Sequence, residues 1–316
     1  MQMTTNRFDF QTLKELYDQD INVMEYCRTL HQEKNDTISA VEVAYDLQTG
    51  TYINPKLSGQ ELEEYWKYHD RYTTALATLF GELGGNTILE VGVGEAFTLA
   101  PVIKKMKTAF LKVSGFDLSW SRVALGNRYS RHHGLNNVEL FVGDVFEIPF
   151  QEHSFDIVYT YYSIHASSRG KEKTVLQELY KVAGQYLVLI EPSNELGNEE
   201  TKQHTEQHQY CLDLYKHAVE LGFKVVHHSL FGLYSDLNHQ SSLLIIEVVR
   251  DKQGRENKPI QYACPICKDT LVFHRAHYFC QRDCLIFPVV GGIPCLRRTY
   301  GILGSKYLEY EDCSHC

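Results

Sequence analysis

The chain has 316 residues, of which 43% are hydrophobic and 22% charged, and its formal net charge is −9. This length suits one large domain with a small one, and the acidic balance argues against a protein that coats nucleic acid through bulk charge. No stretch approaches the roughly 18 consecutive apolar residues of a membrane span. The first residues, MQMTTNRFDF, lack the basic and apolar regions of a secretory signal. We therefore expect a cytoplasmic protein with no membrane partner.

Residues 1–58 predict a helical extension. Apolar residues recur at helical spacing from Phe8 to Leu30. A longer helix is predicted over Leu57–Leu83, with Ser58 as its N-cap and Glu61 completing a capping box. We expect this extension to form a lid over a binding crevice.

Residues 59–250 alternate between short apolar runs and helical stretches. The predicted strands are Thr87–Val93, Val113–Leu118, Val138–Val142, Phe155–Tyr161 and Tyr186–Ile190. The predicted helices are Thr98–Met106, Ser121–His132, Glu172–Val182 and Thr201–Leu221. Two further runs, Phe223–Leu230 and Leu243–Val249, have no helix between them and should pair antiparallel at a sheet edge. The pattern predicts an α/β fold with a mostly parallel, Rossmann-like sheet.

Three acids follow or end successive predicted strands. Glu90 precedes a turn with Gly92 and Gly94, Asp117 ends the second strand, and Asp144 follows the third. Ligands of such sheets bind at the carboxyl ends of the strands, where glycine lets the backbone approach closely. An acid at the second strand can accept hydrogen bonds from ribose hydroxyls. The three acids should therefore converge on one crevice.

The segments ILEVGVGEAFT, GFDLS, VGDVFEIPFQEHSFDIVYTYYSIH and LVLIEPS resemble, in this order, the motifs of class I S-adenosylmethionine methyltransferases. The resemblance covers roughly residues 85–250 and is greatest to the subgroup that contains quinone-biosynthesis and small-molecule enzymes. It implies S-adenosylmethionine as cofactor, and it implies these cofactor-binding residues: Glu90, Gly92 and Gly94 near the methionine part, Asp117 and Leu118 at the ribose, Asp144 and Val145 at the adenine, and Tyr161. Ala96 stands where the family often has a third glycine.

A nicotinamide-dependent dehydrogenase is the rival interpretation, because its glycine turn and ribose acid look similar. Its GxGxxG spacing fails here, since Phe97 stands at the third glycine position. An acid at Glu90, just before the turn, also suits a cofactor with an amino group better than a pyrophosphate.

Three residues after the fourth and fifth strands are candidates for catalysis. Residues after strand four face the methyl group in the resembling family, which implicates Tyr162 and His165. His165 suits a general base because the pKa of an imidazole lies near neutrality, although a role as pocket wall is the competing interpretation. Glu191 ends the fifth strand and would bind an acceptor or cap a loop.

His204 and His208 lie four residues apart on a predicted helix, with Glu206 between them. Such a pair can bind a metal. No third ligand is evident nearby, so a solvated or substrate-lining face is the favoured interpretation.

The C-terminal segment contains Cys264, Cys267, Cys280 and Cys284 in a CxxC and a CxxxC motif. Four thiolates at this spacing predict a structural zinc site in a domain over residues 261–316, after a linker at 251–260. The segment resembles the zinc module of the activator subunit that partners tRNA, rRNA and release-factor methyltransferases. The final CSHC, with Cys313, His315 and Cys316, would bind a second metal or form a frayed tail.

The leading hypothesis is a methyltransferase (EC 2.1.1) acting on an O or N atom of a small molecule or sugar. A methyltransferase of RNA or of a translation protein is the alternative that the zinc module favours, and a phosphate-binding stripe near Arg297 would support it. A third hypothesis is a non-catalytic S-adenosylmethionine-binding regulator. A homodimer is compatible with the sequence.

Overall fold

A computed structural model of the chain describes residues 9–30, 37–106, 110, 112–234, 236–249 and 259–311. Most of the predicted linker and all of the CSHC tail lie outside these ranges. Among the helices that the structure describes, none is both long and apolar enough to cross a membrane.

The described part of the N-terminal region forms three short helices, and a long helix follows them. The first four helices are α1 Phe10–Asp18, α2 Val23–Leu30, α3 Thr37–Leu47 and α4 Gly59–Leu83. The predicted helix over residues 8–30 is interrupted between α1 and α2, where Asp20 adopts a φ of +58° that a helix does not allow. Ser58 is the N-cap of α4 as predicted, but its side chain makes no capping hydrogen bond, so the predicted capping box is wrong.

Seven strands form the central sheet, and every strand run predicted there is present. Their bounds are β1 Thr87–Val91, β2 Lys112–Asp117, β3 Val138–Val142, β4 Phe155–Tyr161, β5 Ala183–Pro192, β6 Lys224–Leu230 and β7 Ser241–Glu247. The spatial order is β3-β2-β1-β4-β5-β7-β6. The first five strands are parallel, and β7 runs antiparallel to both β5 and β6. This is the predicted Rossmann-like arrangement with its antiparallel pair at one edge.

Helices cover both faces of this sheet. They are α5 Leu99–Lys105, α6 Trp120–His132, α7 Glu172–Val182, α8 Glu199–Gln207 and α9 Leu214–Glu220. Neighbouring side chains of a strand point to opposite faces, and Ile88 and Leu89 accordingly belong to two different hydrophobic cores. Burial on both faces explains why the strands are continuous apolar runs.

The predicted helix Thr201–Leu221 is wrong as a single element. It divides into α8 and α9 because Gln209 and Asp213 adopt φ values of +52° and +54°. The intervening residues Tyr210 and Cys211 turn inward, and the backbone N–H of Cys211 donates to the carbonyl of His165. The break therefore places Tyr210 at the carboxyl ends of the strands. A continuous helix would have carried this residue past them.

The C-terminal module is a small antiparallel sheet that packs against the edge of the large one. Its elements are β8 Val272–His274, β9 His277–Cys280, β10 Leu285–Val290, β11 Ile293–Pro294, β12 Ile302–Leu303 and α10 Tyr307–Glu311. The backbone N–H of Leu296 donates to the carbonyl of Val142 at 2.8 Å, at the exposed edge of β3. The module thus covers an edge that would otherwise present unpaired backbone groups.

Candidate active site

A cavity of about 390 Å³ opens at the carboxyl ends of the central strands. It is lined by the end of β2, by residues that follow β3, by the turn after β1 and by the segment after β4. A ligand site is expected at this place, because the strand order reverses between β1 and β4. Helices α3 and α4 contribute the opposite wall. The cavity therefore lies between the sheet and the N-terminal helices.

The turn after β1 is built for close approach of a ligand. Gly92 and Gly94 have φ values of +72° and +51°. A Cβ at Gly92 would lie 2.3 Å from the Cβ of Ser163, so no other residue fits there without movement. Ala96 adopts a φ of +56°, the left-handed conformation that the usual third glycine would adopt more easily.

The acid of the second strand is held rigidly beside this turn. Asp117 accepts one hydrogen bond from the backbone N–H of Gly94 and one from that of Ser119, both at 3.0 Å. Each carboxylate oxygen keeps a further lone pair for a ligand hydroxyl. The geometry fits the ribose of a nucleoside cofactor.

Glu90 lies on the same wall in a buried environment. Its carboxylate accepts a hydrogen bond from the hydroxyl of Tyr159 at 2.8 Å. Burial is the main cause that raises the pKa of Glu90 to about 8, and nearby Asp117 adds to the effect. A buried acid without a cationic partner suits a ligand that brings an ammonium group.

The N-terminal segment closes over the turn. Asp46 of α3 accepts hydrogen bonds from the hydroxyls of Ser119 and Ser121, at the start of α6. The backbone N–H of Gly50 donates to Glu95 at 2.7 Å. These contacts hold the α3 region against the cofactor side of the cavity.

Helix α4 lines the cavity with aromatic side chains. Tyr65, Tyr68 and Tyr72 follow at helical spacing and all line the wall. The rings of Tyr72 and Tyr161 stack with centroids 4.6 Å apart, and the hydroxyls of Tyr68 and Tyr161 lie 2.9 Å apart. This part of the cavity is apolar with hydroxyl groups at its edge.

His165 and Glu191 form a hydrogen-bonded pair beyond the aromatic wall. Glu191 is fully buried, and its carboxylate accepts from the Nδ1 atom of His165 at 3.0 Å. The same carboxylate accepts the backbone N–H groups of Ser163 and Ile164. Because Nδ1 faces a carboxylate, we assign it as the donor of this hydrogen bond, which leaves Nε2 for a ligand. His165 lines the cavity, whereas Glu191 lies behind it.

Two more rings complete this end of the cavity. Tyr162 donates its hydroxyl to the carbonyl of His239 at 2.7 Å, and burial raises the pKa of that phenol. The Nε2 atoms of His239 and His204 lie 2.5 Å apart. His204 thus contacts His239, which lines the cavity, and the ring of His208 packs against that of His204. The solvated or substrate-lining face stays a prediction.

The structure brings most of the predicted site residues together. These line one cavity: Glu90, Gly92, Gly94, Asp117, Leu118, Val145, Tyr161, Tyr162 and His165. Asp144 does not line it, and its carboxylate accepts the backbone N–H of Phe146 instead. Gly143 and Val145 on either side of it do line the cavity.

Sequence reasoning missed several wall residues. The tyrosines of α4 could have been found from their spacing of three and four residues. Tyr45 lies on a helix that was not predicted. Arg122 lies on the predicted helix Ser121–His132, but nothing in its spacing indicated that it would face the cavity. His239 and Tyr210 reach the cavity only through the loop before β7 and the break after α8.

The C-terminal module gathers four potential metal ligands. The ligand atoms of Cys264, Cys267, Cys280 and Asp283 all lie within 4.8 Å of one another, and this is the only group of three or more donors found among the described residues. Cys284, predicted as the fourth ligand, is not part of the group. Three of the four predicted ligands therefore lie together, and the predicted four-cysteine zinc site stays a prediction.

Comparison with known proteins was made for both sequence and fold. Residues 88–185 match the family model described as a methyltransferase domain. A demethylmenaquinone methyltransferase from Lactococcus lactis subsp. lactis is 27% identical over 164 residues, which cover 51% of this chain and 58% of the relative. The chain thus spans less than two thirds of the length of that relative.

A solved structure of similar fold is magnesium protoporphyrin IX methyltransferase from Synechocystis PCC 6803 with bound SAH. It matches with a TM-score of 0.52 at 13% identity, over 66% of this chain and 99% of that chain. At this identity the similarity concerns the fold. The chain therefore has the fold of class I S-adenosylmethionine-dependent methyltransferases and contains, in residues 88–185, a match to the methyltransferase domain family.

Proposed function

We propose that the chain is an S-adenosylmethionine-dependent methyltransferase that methylates an O or N atom of a small, uncharged acceptor. The observation that carries this proposal is the His165–Glu191 pair, because its histidine lines the same cavity as the glycine turn and Asp117. A base and a nucleoside site within one cavity are the two requirements for methylating a protonated nucleophile.

The residues on the sheet side fit the cofactor. Asp117 would accept the ribose hydroxyls, the turn at Gly92 would accommodate the methionine part, and Glu90 would face its amino group. S-adenosylmethionine supplies, when bound, an electrophilic methyl group on its sulfonium. The chain's own contribution is to orient the two reactants in line, which is the larger part of catalysis in such a displacement.

His165 would remove the acceptor proton. Glu191 holds the ring in the tautomer that leaves Nε2 free to accept, and it stabilises the imidazolium that forms. Glu191 is thus a positioning residue. Tyr162, whose hydroxyl is engaged with the backbone of His239, would shape the acceptor site rather than transfer a proton.

The charges of the cavity favour an uncharged acceptor. Among the described residues that line it, Arg122 is the only permanently cationic side chain, and it lies 3.7 Å from Glu95 and over the ring of Tyr52. A phosphate or carboxylate acceptor would find no further cation in this wall. The aromatic wall suits a ring, so phenolic compounds are the first to test, together with demethylmenaquinone, which the name of the Lactococcus relative gives.

Methylation of RNA or a translation protein has less support. Arg297, which would mark a phosphate-binding stripe, is buried and forms an ion pair with Glu42. A non-catalytic regulator would not need the His165–Glu191 pair. The cytoplasmic location and the homodimer stay predictions.

The reaction is tested by incubating the protein with methyl-labelled S-adenosylmethionine and a size-fractionated cell extract. We expect label in the small-molecule fraction, and mass spectrometry then identifies the product. Label in RNA or protein would favour the alternative acceptors, and an unlabelled extract together with tight cofactor binding would favour a regulator.

The role of His165 is tested by His165→Gln and Glu191→Gln. We expect turnover to fall by about 10²–10⁴-fold in the first variant, the usual contribution of a general base, with cofactor affinity unchanged. His227→Gln, an exposed histidine of β6, is the matched control. Equal turnover of wild type and His165→Gln would reduce the histidine to a part of the pocket wall.

For the C-terminal module we infer a structural zinc ion bound by Cys264, Cys267 and Cys280. Thiolates prefer zinc among the common divalent ions, and the three sulfur atoms meet between two short turns. A structural zinc ion contributes directly to folding free energy, so we expect metal binding to stabilise the module. Metal analysis of the purified protein, with one zinc per chain expected, tests this inference.

A further inference from the structure

Two turns of the C-terminal module have the same backbone design. In the first, Cys264 and Cys267 are followed by Lys268, whose φ is +62°. In the second, Cys280 and Asp283 are followed by Cys284, whose φ is +52°. Each turn therefore carries a ligand-type side chain at its first and fourth positions and a left-handed residue at its fifth.

The hydrogen bonds of the two turns correspond as well. The backbone N–H of Cys267 donates to the sulfur of Cys264 in the first turn. The backbone N–H of Asp283 donates to the sulfur of Cys280 at 3.3 Å in the second. By this correspondence, Asp283 occupies the position that Cys267 holds in the first turn, and Cys284 occupies the position of Lys268.

The distances between the donor atoms suit one tetrahedral ion. Zinc–sulfur bonds of about 2.3 Å and zinc–oxygen bonds of about 2.0–2.2 Å place neighbouring tetrahedral ligands about 3.4–3.8 Å apart. The sulfur atoms of Cys267 and Cys280 lie 3.5 Å apart. The Oδ2 atom of Asp283 lies 3.3 Å from the sulfur of Cys264 and 3.8 Å from that of Cys280.

Cys284 is held away from this group. Its sulfur lies 3.7 Å from the carbonyl oxygen of Gln281, and its side chain is half-buried. The left-handed backbone at Cys284 turns the chain immediately after Asp283. The second motif, CQRDC, is therefore a CxxD turn with an additional cysteine beside it.

We propose that Asp283 is the fourth ligand of the metal site, giving three thiolates and one carboxylate, and that Cys284 is a free thiol. This assignment extends the zinc inference above and does not depend on the methyltransferase reaction. A carboxylate is a harder ligand than a thiolate, so the site should hold its metal less tightly than a four-cysteine site.

The ligand set is tested on the full chain by replacing zinc with Co²⁺ and by titrating zinc against a chelator. The near-ultraviolet charge-transfer absorbance of Co²⁺ grows with the number of bound thiolates, so the wild type should show three. Cys284→Ala should leave both the spectrum and the zinc affinity unchanged. Asp283→Asn should lower zinc affinity by more than about 100-fold, beyond the roughly 10–100-fold that the loss of an outer-shell partner costs.

Two further variants separate ligation from folding. Asp283→Cys should increase the charge-transfer absorbance and the zinc affinity, which a merely structural aspartate would not do. Asp269→Asn, an exposed acid of the first turn paired with Arg282, removes the same charge and should have no effect. In the zinc-loaded wild type, alkylation followed by peptide mapping should modify Cys284 and spare Cys280.

Loss of zinc binding in Cys284→Ala, with Asp283→Asn unaffected, would overturn the assignment and restore the four-cysteine site. Unchanged affinity and spectra in both variants would also overturn it, because a solvent molecule would then complete the site. Absence of any metal in the wild type after reconstitution would refute the zinc inference, whatever the methylation assay shows.

Discussion

Glu90 is the residue before the end of β1, and its carboxyl group is buried. Its raised pKa, about 8, means that the free protein holds this acid protonated at neutral pH. The acid that would face the amino group of S-adenosylmethionine is thus uncharged until a cation arrives or the pH rises. Ligand binding and proton release are coupled at such a residue.

We expect cofactor affinity to depend on pH through Glu90. A bound ammonium group favours the carboxylate, so affinity should fall by up to about tenfold per pH unit as the pH drops below 8. Isothermal titration calorimetry between pH 6 and 9 measures this slope. Glu90→Gln should bind more weakly and show a flat profile, and an unchanged slope in that variant would assign the dependence to another group.

The same acid affects folding stability with a defined sign. Its folded pKa, about 8, lies above its ordinary value of 4.5, so its contribution to stability is complete below about pH 4.5 and is lost as the pH rises through 8. Glu90→Gln should therefore gain stability relative to the wild type between these values. Denaturant unfolding of both proteins at pH 5 and pH 8 measures the difference.

Gly92 is the residue where the turn leaves no space for a side chain. Gly92→Ala combines a strained φ of +72° with a Cβ that would lie 2.3 Å from that of Ser163. We expect a loss of about 1–3 kcal/mol of unfolding free energy and at least tenfold weaker cofactor binding. Gly134→Ala also has a positive φ but open space around it, and it should lose stability without losing cofactor affinity.

Helix α3 connects the N-terminal region to the cofactor site. Asp46 is its only described residue that bonds to both Ser119 and Ser121, so it anchors the segment that carries Tyr45 and Tyr52 over the cavity. The N-terminal region is thus attached at the start of α6, and its role as a lid stays a prediction.

Asp46→Asn should weaken cofactor binding by about tenfold, because it removes a charge-assisted hydrogen bond of about 1.5–3 kcal/mol. Calorimetry measures this loss, and Asp18→Asn, at the exposed end of α1, is the control. Deletion of residues 1–56 should in addition weaken acceptor binding. Full acceptor affinity in the deletion variant would contradict a lid function.

At the scale of the whole molecule, the C-terminal module contacts helix α3 as well as the sheet. Arg297 forms an ion pair with Glu42 of α3, and Tyr300 donates its hydroxyl to the same carboxylate. Leu296, the residue before Arg297, donates its backbone N–H to the carbonyl of Val142 in β3. Folding of the module therefore supports the helix that covers the cofactor site.

We expect chelation of the metal to lower cofactor affinity, because an unfolded module cannot hold α3 through Arg297. Glu42→Gln should lower the affinity as well, and it leaves a buried guanidinium without its partner charge. The two losses should not add, since both break one connection. Calorimetry measures cofactor affinity for the wild type and Glu42→Gln, each with and without the chelator. Additive losses of affinity would show that the metal and helix α3 act independently.

Periodicity and motif order in the sequence predicted the parallel sheet, the edge pair and most of the candidate site residues that line the cavity. The reason is that a strand buried on both faces must be an apolar run, and a turn such as that at Gly92 must contain glycine. These demands are local, so they can be read along the chain.

Other features depended on contacts between residues far apart in sequence. The break between α8 and α9 brings Tyr210 to His165, and the lid residue Tyr45 meets Arg122 across the cavity. Cysteine spacing predicted Cys284 as a ligand, whereas in the structure Asp283, and not Cys284, belongs to the group with Cys264, Cys267 and Cys280. Such outcomes are decided by tertiary packing, because backbone conformation at a turn is chosen by the free energy of the whole arrangement and not by the local residues alone.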